Sequence, residues 1–152
     1  MTNKLSVRQA VLSDIESLAT LFDSYRQFYG RAADLDAARE FLLARFNRGE
    51  SVSLIAHDDN TPAGFVQLYP SFSSVSLART FILNDLFVRE DCRRKGTANL
   101  LLKSAVDYAN SMGAARVSLS TAIANESAQA LYQLAGWKRD EQFLVYHFVF
   151  TS

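Results

Sequence analysis

The chain is short of cysteine and histidine, and each shortage closes off a class of protein. Cys92 is the single cysteine, so no disulfide can form within the chain, and a lone thiol fits the reducing cytoplasm. The two histidines, His57 and His147, lie far from each other and from Cys92, so no zinc-type cluster and no metal site is expected. A charge excess is missing too. The 16 basic and 16 acidic side chains cancel, which argues against a nucleic-acid partner. No run approaches the roughly 18 apolar residues of a membrane span. The polar start, Met1 to Gln9, lacks the apolar stretch of a signal peptide. Repeats and low-complexity tracts are absent as well.

What remains is an ordinary globular composition. The 152 residues suit one domain, 1–152, large enough to bury a core of its own. Leu5 to Val11 alternates as a first strand would. Ser13 with Glu16 reads as a capping box. Ile15, Leu18, Ala19, Phe22 and Tyr25 then recur at helical spacing over Asp14 to Tyr29, with Gly30 as the stop. A second helix is expected from Asp36 to Arg48, ended by Gly49. Ser51–His57 and Ala63–Tyr69 read as an antiparallel hairpin turning at Asp58-Asp59-Asn60. The serine-rich stretch Pro70 to Ser76 reads as a loop. Thr80 to Val88 is a strand dense enough in Phe, Ile and Leu to be buried on both faces.

Gly96 to Met112 carries the strongest helical pattern, with Ala98, Leu101, Leu102, Ala105, Ala109 and Met112 as its stripe. Val117, Leu119 and Thr121 alternate as a half-buried strand. Asn125 can cap a helix that ends at Gly136. Trp137 to Phe150 reads as two more strands, split near Asp140-Glu141. The order implies an α/β (α+β) mixed sheet, mostly antiparallel, of about six or seven strands with about four helices on its faces.

The informative segment is Val88-Arg89-Glu90-Asp91-Cys92-Arg93-Arg94-Lys95-Gly96-Thr97-Ala98. A buried strand ends, a polar loop follows, and a helix opens at a glycine. Helix N-termini present unpaired N–H groups and partial positive charge, a ready anion site. Gly96 allows close backbone approach. The bland alternative is a solvated charge run. Yet cations sit badly against a helix N-terminus, and a bound anion would offset that.

These residues resemble a known family. Arg93-x-x-Gly96-x-Ala98 is similar to the Q/R-x-x-G-x-G/A signature of the GNAT superfamily of acyl-CoA-dependent N-acetyltransferases. It follows a strand ending Asp85-Leu86-Phe87-Val88 and opens a helix carrying Leu100-Leu101-Leu102. Downstream, Asn125, Ala128, Leu131, Tyr132, Gly136 and Trp137 resemble the family's N…A-x-x-L-Y-x-x-x-G-F/W segment. Leu21-Phe22-x-x-Tyr25-x-x-Phe28-Tyr29 is similar to a small subgroup acting on polyamines, lysine-like amines or protein lysines.

The resemblance implies a single GNAT-like domain using acetyl-CoA as cosubstrate. Backbone amides of Arg93, Arg94, Lys95, Gly96, Thr97 and Ala98 would hold the pyrophosphate. The main chain of Leu86, Phe87 and Val88 would pair with the pantetheine arm. Asn125 would contact the coenzyme, and Tyr132 would protonate the departing thiolate; from the residues alone Tyr132 reads as a core tyrosine on the stripe of its helix. Thr97 departs from the pattern, which usually has an apolar residue there.

An amine attacking a thioester needs a base, because a lysine-like amine has a pKa near ~10.4. It also needs an oxyanion donor, which a backbone N–H of Leu86–Val88 would supply. Direct transfer without an acetyl-enzyme is what the family implies. Asp85 is the first candidate base. Its structural alternative is a salt bridge to Arg79 or Arg116. Glu90, in the loop, is a poorer base. Cys92 has no histidine partner and reads as a bystander; His57 and His147 read as structural. Tyr25, Phe28 and Tyr29 are core or a lid, and as a lid could line a cationic-amine pocket with Asp34 and Asp36 nearby.

The loop lacks both the P-loop and dinucleotide glycine patterns. The alternative function is a catalytically silent acyl-CoA sensor of the same fold. The expected acceptor is a small amine or a protein amine. The apolar last strand, Phe143 to Phe150, suggests a homodimer or higher homo-oligomer.

Overall fold

A computed structural model of the chain describes residues 4–151; residues 1–3 of the polar N-terminal stretch and residue 152 lie outside them. Among the described residues five strands form one sheet: β1 (Leu5–Gln9), β2 (Val52–Asp58), β3 (Thr61–Ser73), β4 (Ala78–Val88) and β5 (Val117–Ser118). They lie in chain order, β1-β2-β3-β4-β5. The first three pairings are antiparallel and β4–β5 is parallel. The helices are α1 (Ile15–Phe28), α2 (Leu35–Asn47), α3 (Thr97–Ser111) and α4 (Glu126–Leu134). The mixed, mostly antiparallel sheet is therefore as expected, with fewer strands. Two compact units divide the chain, Met1–Ser120 and Thr121–Ser152.

In the first unit, α1 and α2 cover one face of the sheet. Leu18, Leu21 and Phe22 pack with Ala38 and Leu42 onto Ile55 and Phe65. The other face takes α3, where Leu101, Leu102, Ala105 and Ala109 are buried and Tyr108 meets Phe81 edge-on at 5.8 Å. Burying each such leucine contributes roughly 1.5–3 kcal/mol. Strand alternation sorts β3 between the two layers: Phe65, Gln67 and Tyr69 point one way, Val66 and Leu68 the other.

Several local expectations give way to stronger partners. The first strand stops at Gln9, because a short 3-10 turn, Leu12–Asp14, follows. The Ser13–Glu16 capping box does not form. Asp14 caps instead, its carboxylate accepting from the Val11 amide at 2.7 Å and from Arg8 at 2.7 and 2.8 Å. Glu16 is taken by Arg39 at 2.6 Å. Pro70 to Ser73 is strand rather than loop, paired through to Ser73↔Ala78. There Phe72 is held under the Arg79 guanidinium at 4.9 Å. The turn follows at Ser74–Leu77.

Strand β4 is not buried on both faces. Ile82 and Asn84 are exposed while Phe81, Leu83 and Asp85 are buried, since composition reports how apolar a strand is, not how it is covered. The buried stripe of α3 starts at Thr97 rather than at Ala98, which is half-buried; Met112 is at the C-cap and half exposed. Strand β5 is two residues long, not five. The segment 137–151 adopts no regular element. Its apolar residues are consecutive, so they lack the two-residue period that fixes a register.

Candidate active site

Strand β4 organises the site. Its ladder with β3 slips at one point: Gln67 pairs with Asp85, but the next residue, Leu68, pairs with Leu83. Asn84 is the extra residue of a β-bulge, which re-aims side chains. Without it, Leu83 and Asp85 would share a face. With it, Leu83 pairs with Leu68 in the α3 layer and Asp85 pairs with Gln67 in the α1–α2 layer. On its other side β4 pairs with β5 only at Phe81 and Ile82. The main-chain edge from Asn84 to Val88 extends past that ladder.

The end of this strand is set by Gly64. A methyl group there would lie 2.5 Å from the Phe87 carbonyl oxygen and 3.2 Å from the Val88 Cα. Only glycine lets β3 approach Leu86–Val88 so closely. Beyond Val88 the chain makes a 3-10 turn, Glu90–Cys92. Arg93 then folds back, donating from Nε to the Val88 carbonyl at 3.0 Å. Its guanidinium lies over the Phe28 ring at 5.6 Å and the Phe87 ring at 5.9 Å. Arg94 (φ 64°) and Gly96 (φ 83°) both take left-handed backbone, the glycine without strain and the arginine at a cost of about 1–3 kcal/mol.

Gly96 is the N-cap of α3 and brings no capping side chain. The first-turn amides therefore have no intrahelical partner. They face a cleft of about 230 Å³ lined by Val88, Arg93, Arg94, Gly96, Thr97, Ala98 and Asn99. Thr97 is buried with its hydroxyl unpartnered. An orphaned donor beside a row of unpaired amides fits an oxyanion group, so the residues suit a pyrophosphate. The Lys95 side chain does not line this cleft. Its ammonium pairs with Asp58 at 2.9 Å, and that hydrogen bond raises its pKa.

About 10 Å back along the strand, at ~3.3 Å per residue, Asp85 opens onto a second cavity of about 460 Å³. Phe22, Tyr25, Phe41 and Tyr69 form its aromatic walls, with Arg26, Asn84 and Asp85 as polar members. Asp85 is 4% exposed. Its Oδ2 accepts from Gln67 Nε2 at 3.0 Å and its Oδ1 from Asn84 Nδ2 at 3.1 Å. Gln67 also donates to the Tyr69 hydroxyl at 3.0 Å and accepts from Ser53 at 3.3 Å.

Among the described residues Asp85 forms no ion pair. Arg79 lies over Phe72 and Phe81 instead, and Asp85 forms no ion pair with Arg116 either, so the salt-bridge alternative fails. Burial pushes the Asp85 carboxyl above its ordinary range, against hydrogen bonds from Gln67, Tyr25 and Asn84 that favour the anion. Burial, and then the Asp85 charge, also push Tyr69 up to about 12 and raise Tyr25. Both phenols stay protonated and can donate.

The remaining candidates resolve simply. Asp34 caps α2 through Ala37 at 3.1 Å, and Asp36 pairs with Arg39 at 2.8 Å; neither lines the cavity. Phe28 belongs to the Arg93 stack and is largely exposed. Cys92 is buried and its thiol pushed up by that burial, the state of an unreactive bystander. In the second unit, Asn125 caps α4, its Oδ1 accepting from Ala128 at 3.2 Å and Ser127 at 3.3 Å. Tyr132 lies beside Trp137, ring centroids 6.2 Å apart.

The sequence reading did not single out Gly64, Gln67, Tyr69, Asn84 or Asn99. Gln67 carries a signal, a lone amide inside the apolar run Ala63 to Tyr69. The bulge at Asn84 carries none.

A strand edge running past its ladder beside an unpaired helix N-terminus, with a buried carboxylate on the same strand, is a fold and site suited to acyl transfer. The chain matches the Acetyltransferase (GNAT) family over residues 16–137, and it belongs to that family. An uncharacterized N-acetyltransferase of Bacillus subtilis (strain 168), YhfO, is 46% identical over 142 residues, 93% of this chain and 95% of that protein. The crystal structure of a probable acetyltransferase superposes with a TM-score of 0.91 at 40% identity, covering 97% of this chain and 99% of that one. An aminoglycoside N-acetyltransferase in complex with CoA shares the fold, with a TM-score of 0.80 at 19% identity and 97% of each chain covered.

Proposed function

We propose that this chain transfers an acetyl group directly from acetyl-CoA to a primary amine of a small molecule or protein. The observation that carries this reading is the pairing, on one strand, of an unpaired-amide cleft at its end with a buried carboxylate beside a cavity at its middle. Family membership and the CoA held by a fold neighbour support the coenzyme.

Acetyl-CoA supplies the activated thioester, and the chain's residues do the rest. Amides of Arg93 to Ala98, with the Thr97 hydroxyl, would bind the pyrophosphate. The main chain of Leu86–Val88 would align the pantetheine arm and donate to the carbonyl oxygen as it gains charge. Asp85 would take a proton from the ammonium, directly or through water; its raised pKa makes it a stronger base than a surface carboxylate. The amine nitrogen would bond to the acetyl carbon and the carbon–sulfur bond break; Tyr132 would protonate the departing thiolate, and the second proton released by the nitrogen would restore the Tyr132 phenol through solvent. The Asn125 and Tyr132 assignments rest on the family pattern.

Release of free thiol from acetyl-CoA with a panel of amines tests the reading. Amine-dependent release supports it. Coenzyme binding with no release from any amine would favour the acyl-CoA sensor instead. A family match that runs across Ser120 supports reading residues 1–152 as one domain. Self-association is proposed from the apolar segment 143–150, and sedimentation at micromolar concentration checks it: a monomer there removes it. The lone buried cysteine supports a cytoplasmic setting.

A further inference from the structure

The cavity on the α1–α2 side of β4 holds two charges that nothing else answers. Among the described residues lining it, Asp85 and Arg26 are the charged pair. Asp85 is held by amides and a phenol and has no cation. Arg26, half-buried in the last turn of α1, forms none of the ion pairs or side-chain hydrogen bonds of the described residues.

Arg45, Arg39 and Asp23, on the same two helices, have partners of their own. Arg45 pairs with Glu50 at 2.9 Å and stacks on Phe41. Arg39 is held by Glu16 and Asp36. Asp23 accepts from Gln27 and from the Asp34 amide. The dipole of α1 favours a cation at that helix end, but it does not require one that lines a cavity without a counter-ion. A half-buried, unpaired charge is costly, and here two of opposite sign, from different elements, border one space.

We propose that the accepted amine also carries a carboxylate: Asp85 receives the nitrogen and Arg26 the carboxylate. This rests on the N-acetyltransferase reading and narrows its acceptor to amino carboxylates. A bidentate guanidinium–carboxylate contact supplies both affinity and orientation. The same guanidinium repels polyamines, so the pocket selects against them as well as for its ligand.

The test is thiol release from acetyl-CoA with ω-amino carboxylates of two to six methylenes, each beside the alkylamine and the diamine of equal length. At least one amino carboxylate should exceed its matched amines in kcat/KM by roughly ten- to a hundredfold, the range of a hydrogen bond to a charged group. Arg26→Glu should reverse the order in favour of the diamine. Calorimetric titration of the best amino carboxylate into the CoA-bound protein should show binding to wild type and none to the variant.

Stabilisation of Arg26→Glu by acetyl-CoA checks that the variant is folded. If amino carboxylates do no better than their matched amines, or Arg26→Glu leaves the order unchanged, the proposal is wrong while the enzyme reading stands. If no amine of any kind releases thiol, both are wrong.

Discussion

Asp85 is the residue on which chemistry and stability pull apart. Its folded pKa is raised by burial, so the native state holds the proton more tightly than the unfolded chain does. The stability it contributes is full below about pH 3.9 and is lost as pH rises through the folded pKa. Asp85→Asn mimics the neutral form. The melting temperature of the variant minus that of wild type should therefore increase between pH 4 and pH 8, as scanning calorimetry would record. The same substitution should lower kcat by about 10²- to 10⁴-fold and abolish the acid limb of the pH–rate profile.

Asp85 was legible in the sequence as a carboxylate in an apolar strand needing a reason to be there. Its partners were not. Gln67 is 18 residues away, and its alignment with Asp85 depends on the register of two strands. The Asn84 bulge that selects the face leaves no mark in residue type.

At the scale of elements, local signals located helices well and decided their caps poorly. Ser13 and Glu16 have the right spacing for a box, but a carboxylate with a guanidinium beside it outcompetes a hydroxyl. Asp14 is lowered to about 2, chiefly by its hydrogen bonds from Arg8. A depressed carboxylate contributes stability above its unfolded pKa, lost as pH falls through the folded one. Arg8→Ala should cost about 1 kcal/mol at pH 7, reduced by the exposure of Arg8, and much less at pH 2. Urea denaturation at both values measures the difference.

Gly64 sets the position of the β4 edge. Gly64→Ala should destabilise by about 1–3 kcal/mol through overpacking against Phe87 and Val88. It should also weaken acetyl-CoA binding, because the strand end it displaces is the one assigned to the pantetheine arm. Calorimetric titration would register an unchanged Kd if that assignment is wrong.

Across the whole molecule, the mixed sheet and the helix start at Gly96 were legible because both follow from local rules. Alternation marks strands, crossover connections make neighbours parallel, and a glycine between a basic run and an apolar stripe marks a helix start. The cavity beside Asp85 was not legible, since it is built from α1, α2, β3 and β4 together. Phe22, Tyr25 and Phe41 look like any core stripe until the sheet places a carboxylate opposite them. The end of the chain was misread for the converse reason: apolar residues without a partner do not specify a strand.

The measurement that bears most directly on the central claim is thermal unfolding with and without acetyl-CoA, on wild type and on Gly96→Glu. A methyl at Gly96 meets no atom within 4 Å, so the variant should fold, with only the cost of a left-handed side chain, about 1 kcal/mol. At 100 times its Kd, acetyl-CoA should stabilise wild type by about 2.7 kcal/mol. The variant, with a carboxylate at the mouth of the cleft, should not shift. A wild type unmoved by millimolar acetyl-CoA, or a variant that shifts equally, would contradict the assignment of the α3 N-terminus as the coenzyme site.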